Sequence, residues 1–281
     1  MFTAPDEWTT PMTTDSTTDT PDAGRELLGA LHELAGSAPT ACAGWTAHHI
    51  AAHLAAGSKE LADLIEEHLD GRPPRPTRGF EAREAPFRAL GHDELLNRLV
   101  AQSQRKLAIY DDFAAADDPT IEFTGTKVSA DELAIHSRSE ASIHRWDLVG
   151  DDDTSTMLLS ETELTAHAVK ILNRMSVLNE SAQALGRRVP DKIDEPIRIV
   201  FRSPDRPDVV LHASDGSGHL EIVDRTDDHD AIVTTDAAHR LLVLWGRRST
   251  HRPIEIDGSP TVTDLLPTIL WPDAQPWPPT P

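Results

Sequence analysis

The sequence predicts an α plus α+β protein in which an N-terminal four-helix bundle precedes a small α+β domain. Two features carry this. Apolar residues recur at three- and four-residue spacing from Ala23 to about Leu185, as on amphipathic helices. After Pro190 they alternate in short runs separated by turn residues, as in strands at hairpin spacing.

Residues 1–22 are rich in Thr, Asp and Pro and are expected to form a disordered tail. Leu27, Leu28, Leu31 and Leu34 then mark a possible short helix at the start. The next begins near Thr46, buries Ile50, Leu54, Leu61 and Leu64, and ends at Gly71 before Pro73 and Pro74. Arg75 to Gly91 reads as a long polar connection with room for a short turn of helix. A third helix starts near His92 and carries Leu95, Leu96, Leu99 and Phe113. Thr120 to Val128 reads as an extended excursion around Gly125. A fourth helix is expected from Ser129 to Leu148, with Ser129 and Glu132 as a capping box, stopped by Gly150 and the run Asp151 to Asp153. A further helix spans Ser160 to Leu185. Strands are expected around Ile197–Phe201, Val209–Ala213, His219–Val223, Ala231–Thr234 and Pro253–Ile256. Helices are expected at Asp236–Trp245 and Val262–Leu270. The expected organisation is a tail (1–22), a helical bundle (23–188), an α+β domain (189–272) and an irregular tail (273–281).

Composition narrows the function. Across 281 residues, 26 Lys+Arg against 47 Asp+Glu give a formal charge of −21. Such a surface repels phosphate backbones and anionic lipid, so neither nucleic acid nor a membrane is an expected partner. With Cys42 as the one cysteine, no intramolecular disulfide can form, which fits a cytoplasmic location. No run approaches the ~18 apolar residues of a membrane span, and no secretory signal pattern is present.

The chemistry concentrates on two helices. His136, Glu140 and His144 are four residues apart on the fourth, and His49 and His53 are four apart on the second. A Glu and a His at i and i+4, with a His from a facing helix, can supply three ligands and leave the open position a catalytic zinc needs. One carboxylate is too few for a dinuclear centre of the bundle type. Spacing alone leaves coincidence open among 14 histidines, and His48, His49 and His136 read as solvent-facing or structural.

Two segments, PTACAGWTAHHIAAHLAAG (39–57) and RSEASIHRWDLVGDD (138–152), resemble signatures of the mycothiol-dependent maleylpyruvate isomerase family, within the DinB-like metal-binding bundles. The Leu-rich helix ending in LWGRR and the strand leading to DGSP look like that family's sterol-carrier-like C-terminal domain. The resemblance implies a metal, zinc or another divalent ion, held by His53, Glu140 and His144. It also implies mycothiol as cosubstrate and an electrophilic small-molecule substrate, in an actinobacterial setting. The enzyme would be an isomerase or thiol S-transferase. Asp147 is expected to receive the second N–H of His144, or to be a structural acceptor at the helix end. Arg247, or Arg248 beside it, is the arginine the resemblance places near the site to meet a dicarboxylate. Arg138 is expected to meet the substrate carboxylate or the thiol, with a surface ion pair as the other reading. Cys42, Trp45 and Trp146 read as structural. The competing reading is a non-catalytic metal-binding protein whose C-terminal domain takes a small molecule or a partner.

Overall fold

The structure, a computed structural model, describes residues 21–178 and 188–271. The readings made for residues 1–20, 179–187 and 272–281 lie outside these. A helical N-terminal part is followed by a sheet-containing C-terminal part.

Helix α1 (Ala23–Glu33) starts at Asp22, whose carboxylate accepts from the Arg25 backbone N–H at 2.7 Å. Helix α2 (Ala47–Leu69) starts after Thr46, whose backbone N–H donates to the His49 ring at 3.1 Å. His49 therefore caps a helix. The face that α2 buries is small, including Ala51, Ala52 and Ala55, which lets neighbouring helices approach closely. The polar connection holds a helix, α3 (Phe80–Arg88). Helix α4 (His92–Ala114) packs along α2, and the excursion is a hairpin of β1 (Thr120–Phe123) and β2 (Thr126–Ser129). Its two-residue loop has φ +49° at Thr124 and +76° at Gly125, the left-handed pair that matches strand twist.

Helix α5 (Ala130–Val149) begins with the expected Ser129–Glu132 capping box and ends at Gly150. Every residue from Ala141 to Leu148 is buried, because α5 lies between α1 and α7 and its end meets the C-terminal part. The aspartates after Gly150 do not simply stop the chain. Asp152 accepts from the Ser155 backbone N–H at 2.6 Å and starts a short helix, α6 (Asp153–Leu159), before α7 (Thr162–Leu178).

The C-terminal sheet has the order β5-β4-β3-β6-β7. Strands β3 (Ile197–Arg202), β4 (Asp208–Ser214) and β5 (Ser217–Val223) form the expected antiparallel run. The chain then crosses over, and β6 (Ala231–Thr234) pairs parallel to β3 rather than as another hairpin. Central β3 is buried on both faces, which explains its near-continuous apolar run. Helix α8 (Ala237–Leu244) leads to the edge strand β7 (Glu255–Gly258). The last expected helix is split into α9 (Pro260–Thr263) and α10 (Leu266–Leu270), with Pro267 opening the second.

The two parts share one core. Ile143 and Trp146 of α5 and Leu164 and Leu172 of α7 pack with Ile199, Phe201 and Leu211 of the sheet and Leu241 of α8. Trp146 is fully buried, as expected, and truncating it to Ala would cost about 3–5 kcal/mol. The consequence for function is positional: the end of α5 faces the bundle and the sheet domain at once. No helix among the described residues is long and apolar enough to cross a membrane.

Candidate metal centre

Helices α2 and α5 bring His53, Glu140 and His144 together. His53 Nε2 lies 3.2 Å from Glu140 Oε2, and His144 Nε2 lies 3.6 Å from the same oxygen. One donor atom from each residue lies within 4.8 Å of the other two. Ligands bound tetrahedrally at ~2.0–2.1 Å sit about 3.3 Å apart, so these spacings fit a single divalent ion.

The outer nitrogens are held as well. His53 Nδ1 donates to Glu84 Oε1 at 2.8 Å, and His144 Nδ1 donates to Asp147 Oδ2 at 2.9 Å. An ionised carboxylate can only accept, so each ring carries a proton on Nδ1 and turns Nε2 toward Glu140, where it donates when protonated and would offer its lone pair to a bound ion. Asp147 thus takes the position expected of it. Glu84 was not anticipated, because it sits on α3, which the sequence presents as a polar connection.

Electrostatics couple the two imidazoles to the carboxylates around them. Burial disfavours an imidazolium at His53, yet hydrogen bonds to Glu140 and Glu84 outweigh it and raise the pKa. Burial acts the same way on His144, and hydrogen bonds with Asp147, Cys42 and Glu140 reverse it strongly. Burial would raise Glu140, but the two histidines hold it well below the usual carboxylate range. These groups share protons where an ion would replace them.

Asp147 is fully buried and links this cluster to the sheet domain. Its carboxylate accepts from Arg247 Nε at 3.0 Å and Nη2 at 2.9 Å. Burial opposes both charges, but the pairing lowers Asp147 and raises Arg247. Local backbone geometry aims the arginine. Gly246 has φ +75°, Arg247 N donates to Leu242 O at 2.8 Å, and Gly246 N donates to Val243 O at 2.9 Å. This is a Schellman ending to α8, and it turns the chain back toward α5. Arg248 points elsewhere, 5.5 Å from the Trp271 ring. Of the two arginines, Arg247 reaches the site.

Cys42 was read as structural, yet its sulfur lies 3.1 Å from Asp147 Oδ2 and 3.1 Å from Arg247 Nη2. No spacing signal marks it, since it sits in the loop before α2 and meets α5 only in three dimensions. Cys42, His144 and Asp147 form a second close group of donors. The Arg247 guanidinium already touches two of its members, so a metal ion there would face a cation across a shared carboxylate. The first group is the better metal site. Trp45 packs on the bundle as expected, and its ring also lies 5.4 Å from His53 and 6.4 Å from His144.

The cluster opens into a cavity of about 1850 Å³. Arg138 lines it too, but its exposed guanidinium is paired with Glu161 and Glu163. His48 Nε2 donates to the Arg88 carbonyl at 3.1 Å, and His136 Nδ1 lies 3.3 Å from His167 Nε2.

The sequence matches the family model described as the Mycothiol maleylpyruvate isomerase N-terminal domain over residues 18–149, and the MDMPI C-terminal domain over residues 177–265. Among solved structures it is similar to a mycothiol-dependent maleylpyruvate isomerase at 16% identity, with 83% of this chain and 88% of that chain covered and a TM-score of 0.54. A histidine-to-alanine mutant of a mycothiol-dependent maleylpyruvate isomerase aligns over the same shares at 15% identity and a TM-score of 0.56. No curated protein matches the sequence.

Proposed function

Because the chain belongs to the mycothiol-dependent maleylpyruvate isomerase family, we propose that it is a metal-dependent enzyme using mycothiol for addition, transfer or cis–trans isomerisation at an electrophilic carbon. One observation carries the metal assignment: two imidazoles, each fixed at Nδ1 by its own carboxylate, turn Nε2 toward one glutamate.

His53, Glu140 and His144 would hold the ion, zinc being the natural choice for two nitrogens and one oxygen. When bound, such an ion supplies a thiolate near neutral pH from a thiol that is otherwise mostly protonated. The protein's own residues do the rest. Glu84 and Asp147 fix the tautomer and angle of the two rings. Arg247 holds Asp147 from the sheet domain, so the docking of the two parts sets the geometry. Trp45 and Phe80, whose rings lie 5.4 and 6.0 Å from His53, flank the cluster with apolar surface.

Cobalt-loaded protein titrated with mycothiol tests the reading. A new sulfur-to-cobalt charge-transfer band, lost in His53→Ala, is the expected result. Metal uptake without any spectral response to the thiol would favour the non-catalytic metal-binding alternative.

A further inference from the structure

Four cations in the cavity wall, Arg83, Lys106, Arg174 and Arg188, have no carboxylate within ion-pair distance among the described residues, and Arg188 is held by the Leu244 and Leu270 carbonyls. Arg83 and Lys106 are the pair carried by helices α3 and α4. Arg83, on α3, is 8% exposed, and its guanidinium carbon lies 4.7 Å from the Phe80 ring centroid. Its Nε is buried without a hydrogen-bond partner. Lys106, on α4, donates from Nζ to Ser137 Oγ at 2.9 Å and is paired with no acid. Both line the same cavity as His53, Glu140 and His144.

The acids nearby are committed elsewhere. Glu84 serves His53 and Arg88, and Glu140 serves the two histidines. Glu60 serves Arg75 and Arg78. Arg247, the arginine the resemblance offered for a dicarboxylate, is already occupied by Asp147 and by the Trp245 carbonyl. In a chain of formal charge −21, acceptors are abundant, and a buried guanidinium without one is costly to keep. Burial depresses the pKa of both Arg83 and Lys106, and the more distant carboxylates, Glu60, Glu84 and Glu140 for Arg83 and Glu140 for Lys106, do not offset it.

We propose that Arg83 and Lys106 form an anion subsite that holds a carboxylate of the electrophilic substrate. The inference rests on this cavity being the substrate cavity of the proposed enzyme. The guanidinium offers a planar fork for two carboxylate oxygens, and the ammonium offers a point charge that turns with its ligand. A neutral electrophile of the same shape would leave both cations unpaired, so the pair selects for acids. Arg247 then acts as a positioning residue through Asp147, and substrate recognition falls to helices α3 and α4.

The test is calorimetric titration of the full-length protein with maleate at low ionic strength, with zinc loaded and after chelation. Wild type is expected to bind in both states, which separates the subsite from direct ligation of a metal. Arg83→Met is expected to weaken binding at least tenfold, Lys106→Gln several-fold, and Arg83→Lys far less than Arg83→Met. Lys106 is less buried than Arg83, so its variant keeps the test open if Arg83→Met does not fold. Maleate affinity unchanged in Lys106→Gln and in folded Arg83→Met, or no maleate binding by wild type, overturns the subsite. Failure of the metal and thiol reading shows separately, as maleate binding that persists in protein taking up neither zinc nor mycothiol.

Discussion

Replacing Asp147 by Asn tests whether the sheet domain sets the geometry of the candidate metal centre. The change keeps the shape and removes one charge. Asp147 is fully buried and its carboxylate sits 2.9 Å from the Arg247 guanidinium, whose side chain is 14% exposed. At that distance the gross attraction is about 6 kcal/mol for an effective dielectric of 20. Part of this offsets desolvation in the native protein, but the substitution leaves a buried cation without its counter-charge. Removing one partner of such a pair costs roughly 3–5 kcal/mol. A second effect falls on the metal. The amide is a weaker acceptor for His144 Nδ1, now 2.9 Å from a carboxylate oxygen, and losing such a partner typically lowers metal affinity 10- to 100-fold. Urea denaturation followed by tryptophan fluorescence reads the first quantity, and chelator competition for zinc reads the second. A variant within about 1 kcal/mol of wild type and with unchanged zinc affinity would refute the reasoning, because it would mean that neither Arg247 nor His144 depends on this carboxylate.

Glu84→Ala should lower zinc affinity about 10-fold or more in the same competition assay, because His53 loses the acceptor that orients it at 2.8 Å. Gly246→Ala should cost about 1–2 kcal/mol in denaturation: φ is +75° there, and a Cβ would lie 3.0 Å from Arg188 Nη1. His167 predicts an acid limb. Burial, with His136 adding to it, lowers its pKa from 6.5 to about 4, so the folded form keeps it neutral while the unfolded chain takes up a proton. Its contribution is complete above pH 6.5 and is lost as pH falls to about 4, by about 3 kcal/mol in all. The stability gap between wild type and His167→Gln, followed by urea titration from pH 7 to about 4, should narrow by that amount.

The parts of the fold that local chemistry determines were readable in the sequence. The capping box at Ser129 and Glu132 marks the start of α5, and Gly150 marks its end. Period-four spacing put Glu140 and His144 on one face, and the structure brings His53 to them. What escaped depends on contacts distant in sequence or on weak local signals. Helix α3 contains Pro86 and few apolar residues, so its pattern does not stand out, and with it went Glu84 and Arg83. Asp152 looks like a stop after α5 and is the cap of α6. The parallel pairing of β6 with β3 follows a crossover that short-range turn signals do not encode. Cys42 reaches Asp147 across 105 positions, a contact no motif announces.

The most direct test of the account is the metal content of purified full-length protein reconstituted with zinc, measured beside His53→Ala and His144→Ala. The account predicts about one equivalent in wild type and a large loss in both folded variants, as expected when one of three ligands is removed. Wild-type protein that stays metal-free, or variants that hold as much zinc as wild type, would contradict it.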